Sequence, residues 1–416
     1  MQVFKFGGAS VKDADSVQNI VTVLKKTGYT NKLVVISAMG KTTNALEEVI
    51  NAYFDDKVSI SEAIKKSNIY HTQIISSLFP EEHAVFEVIK TLFEDLENFL
   101  KRNKSPNYDF VYDQVICFGE LISTKIISAY LTQSGIKNNW LDARELIKTN
   151  TNYRDAQVHW ETTQKAIQKN INTEELSITQ GFIASDQNNF TTTLGREGSD
   201  YTGAIFAYCL NADKVIIWKD VPGVLNGDPR VFKNTKLLQR ISYNEAIEMA
   251  FYGASIIHPK TLQPLQRKEI PLYVKSFLTP ESPGTFIGKG IQLDPMVSCF
   301  ILKKDQILIS LSSIDFSFIM EDNISDIFNL LHIYKMKVTM MQNSAISFSV
   351  CVENKFNNLE PLLKKLRAIY KVRWNEGVTL LTARHASSNE INVLLHGRTI
   401  LLKQENRTVT QYVLKE

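Results

Sequence analysis

Short runs of apolar residues alternate with stretches of helical periodicity from Gln2 to Phe277. Leu33–Ile36, Val215–Trp218 and Pro271–Val274 are almost continuously apolar, which is typical of strands buried on both faces. Such strands, separated by helices, predict an α/β fold with a mostly parallel sheet sandwiched between helices. Ligands of these sheets bind beyond the carboxyl ends of the strands. The residues that we expect to meet at this edge are Gly7, Ser37, Gly195 and Asp220.

A glycine-rich turn, Gly195–Asp200, joins a predicted strand over residues 190–194 to a predicted helix over residues 199–210. The backbone N–H groups at the start of a helix bind anions. The turn also carries a cation, Arg196, and a carboxylate, Asp200. One phosphate would not need both charges, whereas a zwitterion would, because the guanidinium takes a carboxylate and the carboxylate takes an ammonium. This pattern favours an amino-acid ligand.

The N-terminal segment repeats this chemistry, because an alternating strand that starts at Val3 breaks at the glycine pair Gly7-Gly8. Glycines let a backbone approach a ligand closely, and Lys5 supplies a point charge for a phosphate. A glycine pair by itself is more often a plain turn, and a lysine in a strand is more often a surface residue. The sequence contains neither G-x-G-x-x-G nor G-x-x-x-x-G-K-[ST], which disfavours dinucleotide and P-loop sites.

Seven segments of the chain resemble the motifs of aspartokinases, members of the amino acid kinase superfamily. They follow one another in that family's order, and the likeness extends over residues 1 to about 290. The segments are Lys5–Val11, Ser37–Asn44, Phe118–Glu120, Gly195–Asp200, Asp220–Gly223, Asp228–Arg230 and Gly253–Pro259.

The resemblance implies an amino acid kinase catalytic domain over residues 1–280. Within it, residues 61–104 carry an apolar stripe at helical spacing, which predicts a helical insertion with a packed face; the resemblance implies that these helices cover the amino-acid pocket. The stripe consists of Val85, Ile89, Leu92, Phe93, Leu96, Phe99 and Leu100. A Pro- and Gly-rich linker over 281–297 follows. The βαββαβ order read over 298–377 predicts a ferredoxin-like α+β unit that resembles an ACT regulatory domain. The remaining residues, 378–416, are predicted to form a truncated second ACT-like β unit with four strands and no helix. One of these strands is predicted over residues 391–396. Exposed strand edges predict a homodimer through this C-terminal region.

The resemblance also implies roles for individual residues. Lys5 and Asp200 are the implied catalytic residues. The implied contacts with the amino-acid substrate are Ser37, Thr43, Glu120, Arg196, Ser199 and Asp200. The implied contacts with the nucleotide are Lys5, Phe6, Gly7, Gly8, Ser10, Lys219, Asp220, Leu225, Arg230, Ser255 and Ile256.

Two of these residues have a second interpretation. Glu120 lies in an apolar stretch, where a buried carboxylate needs a partner; the partner is either the amine of the substrate or an internal cation. Thr43 either contacts the substrate or, like Asn44, caps the following helix, and both roles can hold together.

The chain departs from the family's motifs at five positions. Ala9 and Glu197 replace the usual Thr and Gly, and Lys219, Leu225 and Ser255 replace the usual Thr, Tyr and Lys. Glu197 adds negative charge beside an anion site, so we expect its carboxylate to point away from the ligand. Lys260 is the candidate that replaces the lysine missing at position 255.

Composition limits the functional classes. With a formal net charge of +3 over 416 residues, the chain has no basic face for nucleic acid or a membrane surface. Its four cysteines are far apart in apolar runs, as in a reducing cytoplasm, and no metal-ligand spacing occurs. No metal site of the protein's own is therefore expected, and Mg²⁺ would arrive with ATP.

The predicted function is transfer of a phosphoryl group from ATP to the 4-carboxylate of L-aspartate, the first step of lysine, threonine and methionine synthesis. A glutamate or acetylglutamate kinase and a non-catalytic amino-acid sensor are the alternatives. Thr339 stands where lysine-sensitive relatives have an acidic residue, which predicts weak inhibition by lysine.

Overall fold

A computed structural model describes residues 1–55, 60–254, 257–315 and 317–415. The chain forms two compact units. The first comprises Met1–Val224, Leu237–Ile247 and Ser255–Pro295, and the second comprises Leu225–Lys236, Glu248–Ala254 and Met296–Glu416. The domain boundaries predicted from the sequence stay predictions.

The first unit is built around strands that alternate with helices, as the apolar runs predict. Its strands are β1 (Gln2–Phe6), β2 (Lys32–Ile36), β3 (Asn139–Leu141), β4 (Ser177–Gln180), β5 (Ile183–Ser185), β6 (Thr191–Thr193), β7 (Lys214–Lys219), β8 (Arg240–Ser242), β9 (Leu272–Ser276) and β10 (Thr285–Gly288). The helices along this part of the chain are α1 (Ala14–Thr27), α2 (Thr42–Asp55), α3 (Ile60–Leu78), α4 (Val85–Arg102), α5 (Tyr108–Gln133), α6 (Ala143–Leu146), α7 (Trp160–Asn170), α8 (Gly198–Leu210), α9 (Tyr243–Tyr252) and α10 (Pro259–Arg267).

Eight of these strands form one sheet in the order β3-β4-β2-β1-β7-β9-β10-β8. All neighbours are parallel except β9 and β10. Phe6 at the end of β1 pairs with Ile36 on one side and with Trp218 on the other. The turns that follow β1, β2 and β7 therefore leave the sheet at the same level, which confirms the predicted edge for those three.

Gly195 reaches this edge by a different route from the one predicted. The strand before it, β6, is not part of the large sheet but pairs antiparallel with β5 in a separate hairpin. Three-residue strands are too short for periodicity to tell a hairpin from a parallel strand. Helix α8 then packs on β1, because a Cβ added at Gly203 would lie 3.8 Å from Cβ of Lys5.

Helices α1 to α5 bury their apolar faces in one large core together with β1 and β2. The stripe predicted in the helical insertion is confirmed, since Val85, Ile89 and Phe93 of α4 are buried in that core. Among the described helices, α5 alone is long and apolar enough to cross a membrane by length and composition. However, 67% of its most apolar window is buried inside the protein, as in the core helix of a folded domain.

The second unit contains a six-stranded sheet. Its elements are β11 (Cys299–Ser312), α11 (Glu321–Ile333), β12 (Lys337–Asn343), β13 (Ser347–Glu353), α12 (Leu359–Arg367), β14 (Lys371–Arg384), α13 (Ser388–Leu395), β15 (Thr399–Glu405) and β16 (Val409–Lys415). The strand order is β12-β13-β11-β14-β16-β15, with antiparallel neighbours. The sequence β11-α11-β12-β13-α12-β14 is the predicted ferredoxin-like βαββαβ order.

The C-terminal tail corrects one prediction. Residues 388–395 form helix α13, not a strand over 391–396. Ser387 and Glu390 form a capping box at the start of the helix, and Ile391 is buried on its inner face. The tail also shares its sheet with the preceding βαββαβ segment, because β11 and β14 pair along nearly their whole lengths, with register shifts between Lys303 and Leu308.

Candidate active site

The ammonium of Lys5 lies where β1 meets the first turn of α8. Its Nζ is 2.6 Å from Oδ1 of Asp200, and the two residues are only 8% and 4% exposed. A Cβ added at Gly7 would lie 3.3 Å from the same Nζ, so the glycine keeps the backbone open beside the ammonium. Because lysine has three donors and this ion pair uses only part of them, the ammonium can also contact an anionic ligand.

The turns that follow β1 and β2 run against each other. Gly40 donates a backbone hydrogen bond of 3.1 Å to the carbonyl of Gly8, and Ser37 donates one of 3.1 Å to that of Phe6. A Cβ at Gly8 would lie 3.0 Å from the carbonyl oxygen of Ala38, which is closer than an ordinary van der Waals contact. A side chain at this position would press on the backbone of the neighbouring turn, so the glycine favours the close approach of the two turns.

Two predicted nucleotide residues in this region point their side chains inwards. The ring of Phe6 stacks on that of Trp218 at 6.0 Å between centroids. The hydroxyl of Ser10 lies 3.4 Å from the carbonyl oxygen of the same tryptophan, to which it donates. Any contact that Phe6 makes with a ligand has to come from its backbone.

Glu120 lies on α5, below the turn that follows β2, and is 3% exposed. Its Oε1 accepts a 3.3 Å hydrogen bond from the N–H of Ala38, whereas Oε2 has no partner among the residues that the structure describes. Burial raises the pKa of this carboxyl to about 8, and the charge of Lys5 acts in the opposite direction. Of the two interpretations of Glu120, the unpartnered oxygen favours a ligand amine over an internal cation.

The turn at Gly195 presents two side chains in different ways. Gly195 has φ of +77°, and a Cβ there would lie 2.6 Å from Oδ1 of Asp155. Arg196 is exposed, and no described residue forms an ion pair with it. Glu197 takes a left-handed conformation with φ of 53°, and its Oε2 accepts a 2.8 Å hydrogen bond from the N–H of His258. The carboxylate is thereby bound to the backbone N–H of residue 258. That it points away from the ligand stays a prediction.

Lys260 is engaged at the same turn. Its ammonium lies 2.8 Å from Oδ1 of Asp155 and donates to the carbonyl of Leu194 at 3.0 Å. His258, the N-cap of α10, accepts the N–H of Lys260 at 3.2 Å, so its side chain caps the start of this helix. A role for Lys260 toward a phosphate stays a prediction.

Two further predicted substrate residues lie at helix starts. A Cβ at Gly181, just past β4, would lie 2.6 Å from Cβ of Ser199, so α8 packs closely on this strand end. Thr43 is half-buried in the first turn of α2. The helix begins at Thr42, so the prediction that Thr43 or Asn44 caps it is wrong.

Comparison with known proteins identifies the family. Residues 1–276 match the model of the amino acid kinase family. The lysine-sensitive aspartokinase 3 of Escherichia coli K12 is 30% identical over 391 residues, which cover 91% of this chain and 86% of that protein. The chain belongs to the aspartokinases of the amino acid kinase family.

Solved structures of Escherichia coli aspartokinase III have the same fold as this aspartokinase. The complex with aspartate and ADP, described as the R-state, has a TM-score of 0.84 at 26% identity and covers 100% of this chain and 96% of its own. The complex with lysine and aspartate, described as the T-state, has a TM-score of 0.84 at 27% identity and covers 99% and 95%.

The predicted nucleotide residues of this aspartokinase that lie beyond the first turn fall into three groups. Lys219 ends β7, next to β1 in the sheet, and the exposed Asp220 follows it. Leu225 and Arg230 belong to the second unit, where the Arg230 guanidinium pairs with the carboxylate of Asp228 at 2.7 Å. Ser255 and Ile256 lie outside the described residues.

Asp113 is a residue that sequence reasoning missed. Its carboxylate accepts hydrogen bonds from the N–H and the hydroxyl of Thr193, at 2.8 and 2.7 Å, and from the N–H of Arg154 at 3.0 Å. Burial raises its pKa to about 6, against these hydrogen bonds. It anchors β6 just before Gly195. Its spacing of seven residues from Glu120 in an apolar helix was the available signal.

Proposed function

We propose that this aspartokinase transfers the γ-phosphoryl group of ATP to the 4-carboxylate of L-aspartate at the site described above. The observation that carries the assignment of residues is the buried ion pair of Lys5 and Asp200 between the glycine turn and the first turn of α8. The related Escherichia coli enzyme, which binds aspartate and ADP, supports the two substrates.

The reaction needs placement and charge stabilisation more than proton transfer. The substrate carboxylate is already ionised, so one of its oxygens attacks the γ-phosphorus without a general base. A new O–P bond forms while the bond between the γ-phosphorus and the bridging oxygen breaks, and ADP leaves with that oxygen and its electrons. Lys5, fixed by Asp200, stabilises the charge on the transferring group together with the N–H groups of Gly7 and Gly8. Mg²⁺ accompanies ATP, held mainly by its phosphates and water.

The amino-acid end of the substrate is recognised by opposite charges. The free Oε2 of Glu120 receives the ammonium, and the exposed guanidinium of Arg196 takes a carboxylate bidentately. Ser37, Thr43 and Ser199 supply polar contacts around the same edge of the sheet. Because ammonium binding favours the ionised form of Glu120, ligand binding lowers the pKa of that carboxyl.

Regulation and assembly rest on the second unit, which we propose to contain ACT-like folds that pair across a homodimer. Thr339, on β12, donates from its hydroxyl toward Oε1 of Gln306 at 3.1 Å and the carbonyl of Cys351 at 3.0 Å. It offers no carboxylate for the amine of lysine, so inhibition by lysine is weak. The place of action is the cytoplasm, in lysine, threonine and methionine synthesis.

An ATP-dependent hydroxamate assay with aspartate, glutamate and acetylglutamate tests the function. Hydroxylamine traps the acyl phosphate, and we expect product with aspartate alone. Product with glutamate or acetylglutamate in its place would favour the other acid kinases, and no product with any acid, together with aspartate binding, would favour a sensor. The matched pair Lys5→Ala and Lys12→Ala assigns the activity to the site, because Lys12 is an exposed lysine on the adjoining turn.

A further inference from the structure

Helix α3 touches both turns of the site through two adjacent residues, Tyr70 and His71. The hydroxyl of Tyr70 donates to the carbonyl of Lys12, at the end of the turn that follows β1. The same hydroxyl would lie 2.6 Å from a Cβ at Gly40, which has φ of +52°. Tyr70 therefore packs against the turn after β2 while it bonds to the turn after β1.

His71 is fully buried and has polar partners at both ring nitrogens. Nδ1 lies 2.8 Å from the carbonyl oxygen of Ser67, one helical turn earlier, and Nε2 lies 3.2 Å from Oγ1 of Thr42. Since a carbonyl only accepts, the proton of the neutral ring belongs on Nδ1, which leaves Nε2 as an acceptor. Burial lowers the pKa of this imidazole to about 4, so the neutral ring is the form present near neutral pH.

The hydroxyl of Thr42 consequently has two acceptors and one proton. It donates to the carbonyl of Met39 at 2.6 Å, closing the turn before α2, or to Nε2 of His71. Thr42 is 2% exposed, and its Cγ2 would lie 3.3 Å from a Cβ at Gly119, the residue before Glu120. The threonine thus lies at the start of α2 and contacts both α3 and the part of α5 that carries Glu120, the proposed ligand of the substrate ammonium.

We propose that His71 is a positioning residue for the amino-acid substrate, which acts through the hydroxyl of Thr42 on the neighbouring Thr43 and Glu120. Tyr70 holds the two turns together at the other side of the same helix. The inference rests on the proposed function, because it concerns the affinity of that site for a small amino acid. This role gives a reason for the burial of a polar ring that also packs against apolar side chains such as Phe93.

Steady-state kinetics of the full-length chain tests the inference with paired variants. His71→Phe and Thr42→Val each remove one side of the hydrogen bond, whereas His71→Gln and Thr42→Ser each keep a group that can make it. We expect the first two to raise KM for aspartate roughly 3- to 10-fold, the scale of one buried hydrogen bond. KM for ATP is expected to stay within about twofold of that of the unmodified protein, and His71→Gln and Thr42→Ser are expected to keep KM for aspartate close to its original value.

Ser67→Ala is the matched control, because the hydroxyl of Ser67 has no partner in the described part of the chain, while its carbonyl still receives Nδ1. We expect Ser67→Ala to leave kcat and both KM values unchanged. The double variant His71→Phe/Thr42→Val is expected to lose no more affinity than the worse single variant.

The outcomes separate the two proposals. If the unmodified protein makes no acyl phosphate from aspartate, the proposed function fails whatever His71 does. If it is active and His71→Phe or Thr42→Val changes only the melting temperature, or if their effects on KM multiply, His71 is a structural residue and the inference is overturned. Should His71→Phe fail to fold, the Thr42→Val and Thr42→Ser pair decides the question alone.

Discussion

At the proposed site of the amino acid and the transferring phosphoryl group, Lys5, Glu120 and Asp200 are more than nine-tenths buried, and each makes a defined contact within the first unit. On the predicted nucleotide side, Asp220 and Arg230 are exposed. A buried charged group is held in place by its neighbours and costs free energy when unpaired, whereas an exposed one is screened by water. We therefore expect substitutions of the buried residues to disturb a prearranged site, and substitutions of the exposed residues to remove single contacts.

The largest effect is expected for Lys5→Ala. Removal of the ammonium leaves Asp200 buried without its cation and the transferring phosphoryl group without its nearest charge, so kcat falls about 10³-fold. Lys12→Ala, the exposed control, keeps kcat within about twofold. A loss below tenfold for Lys5→Ala, measured by initial rates at saturating ATP and aspartate, would contradict the central place of this lysine.

Glu120→Gln is expected to raise KM for aspartate roughly 10- to 100-fold, because the neutral amide cannot pair with the ammonium as a carboxylate does.

The pH dependence of KM for aspartate gives a second test of Glu120. With its pKa raised to about 8, the free carboxyl is mostly protonated below that pH and has to ionise when the ammonium binds. KM for aspartate therefore falls as the pH rises toward 8, by at most about tenfold per unit, and levels off above it. Glu120→Gln removes that slope; a parallel slope in the variant would show that another group titrates.

A smaller effect is expected at Glu197, whose carboxylate holds the N–H of His258 at 2.8 Å. Glu197→Ala frees the turn that carries Arg196, and we expect KM for aspartate to rise about two- to fivefold. Glu197→Gln is the matched control, since its amide oxygen still accepts the hydrogen bond. A fall in KM for Glu197→Gln would mean that the negative charge acts on the ligand directly.

The smallest effect is expected on the nucleotide side. Arg230→Ala removes an exposed guanidinium that pairs with Asp228, and exposed ion pairs contribute little free energy because water screens them. KM for ATP is expected to rise less than about threefold, with Asp228→Ala as the partner control. A rise above tenfold would break the contrast between the two sides and make Arg230 a main nucleotide contact.

The sequence predicts the two-sided sheet, the glycine turns and the order of the motifs, because buried parallel strands and glycine turns leave local signals. The ion pair of Lys5 with Asp200 is a different case: the residues are 195 positions apart, and only the family resemblance implies their roles. The structure brings them together through the packing of α8 on β1.

The failures have physical causes. The sequence predicts a strand where helix α13 lies, although Ser387 and Glu390 form a capping box, because the apolar run after them is short enough to suit either structure. Asp113 and His71 bind partners that are distant in sequence, Thr193 and Thr42. The spacing of Asp113 from Glu120 marks the carboxylate but not its partner, and no local pattern reveals the role of His71.

The most direct test of the account is a double-mutant cycle on Lys5 and Asp200, with kcat measured for Lys5→Ala, Asp200→Ala and the double variant. If the two side chains act as one unit, the double variant loses no more than about threefold beyond the worse single variant. Losses that multiply, so that the double variant falls by the product of the single effects, would show two independent residues and contradict the claim that this ion pair is the centre of the site.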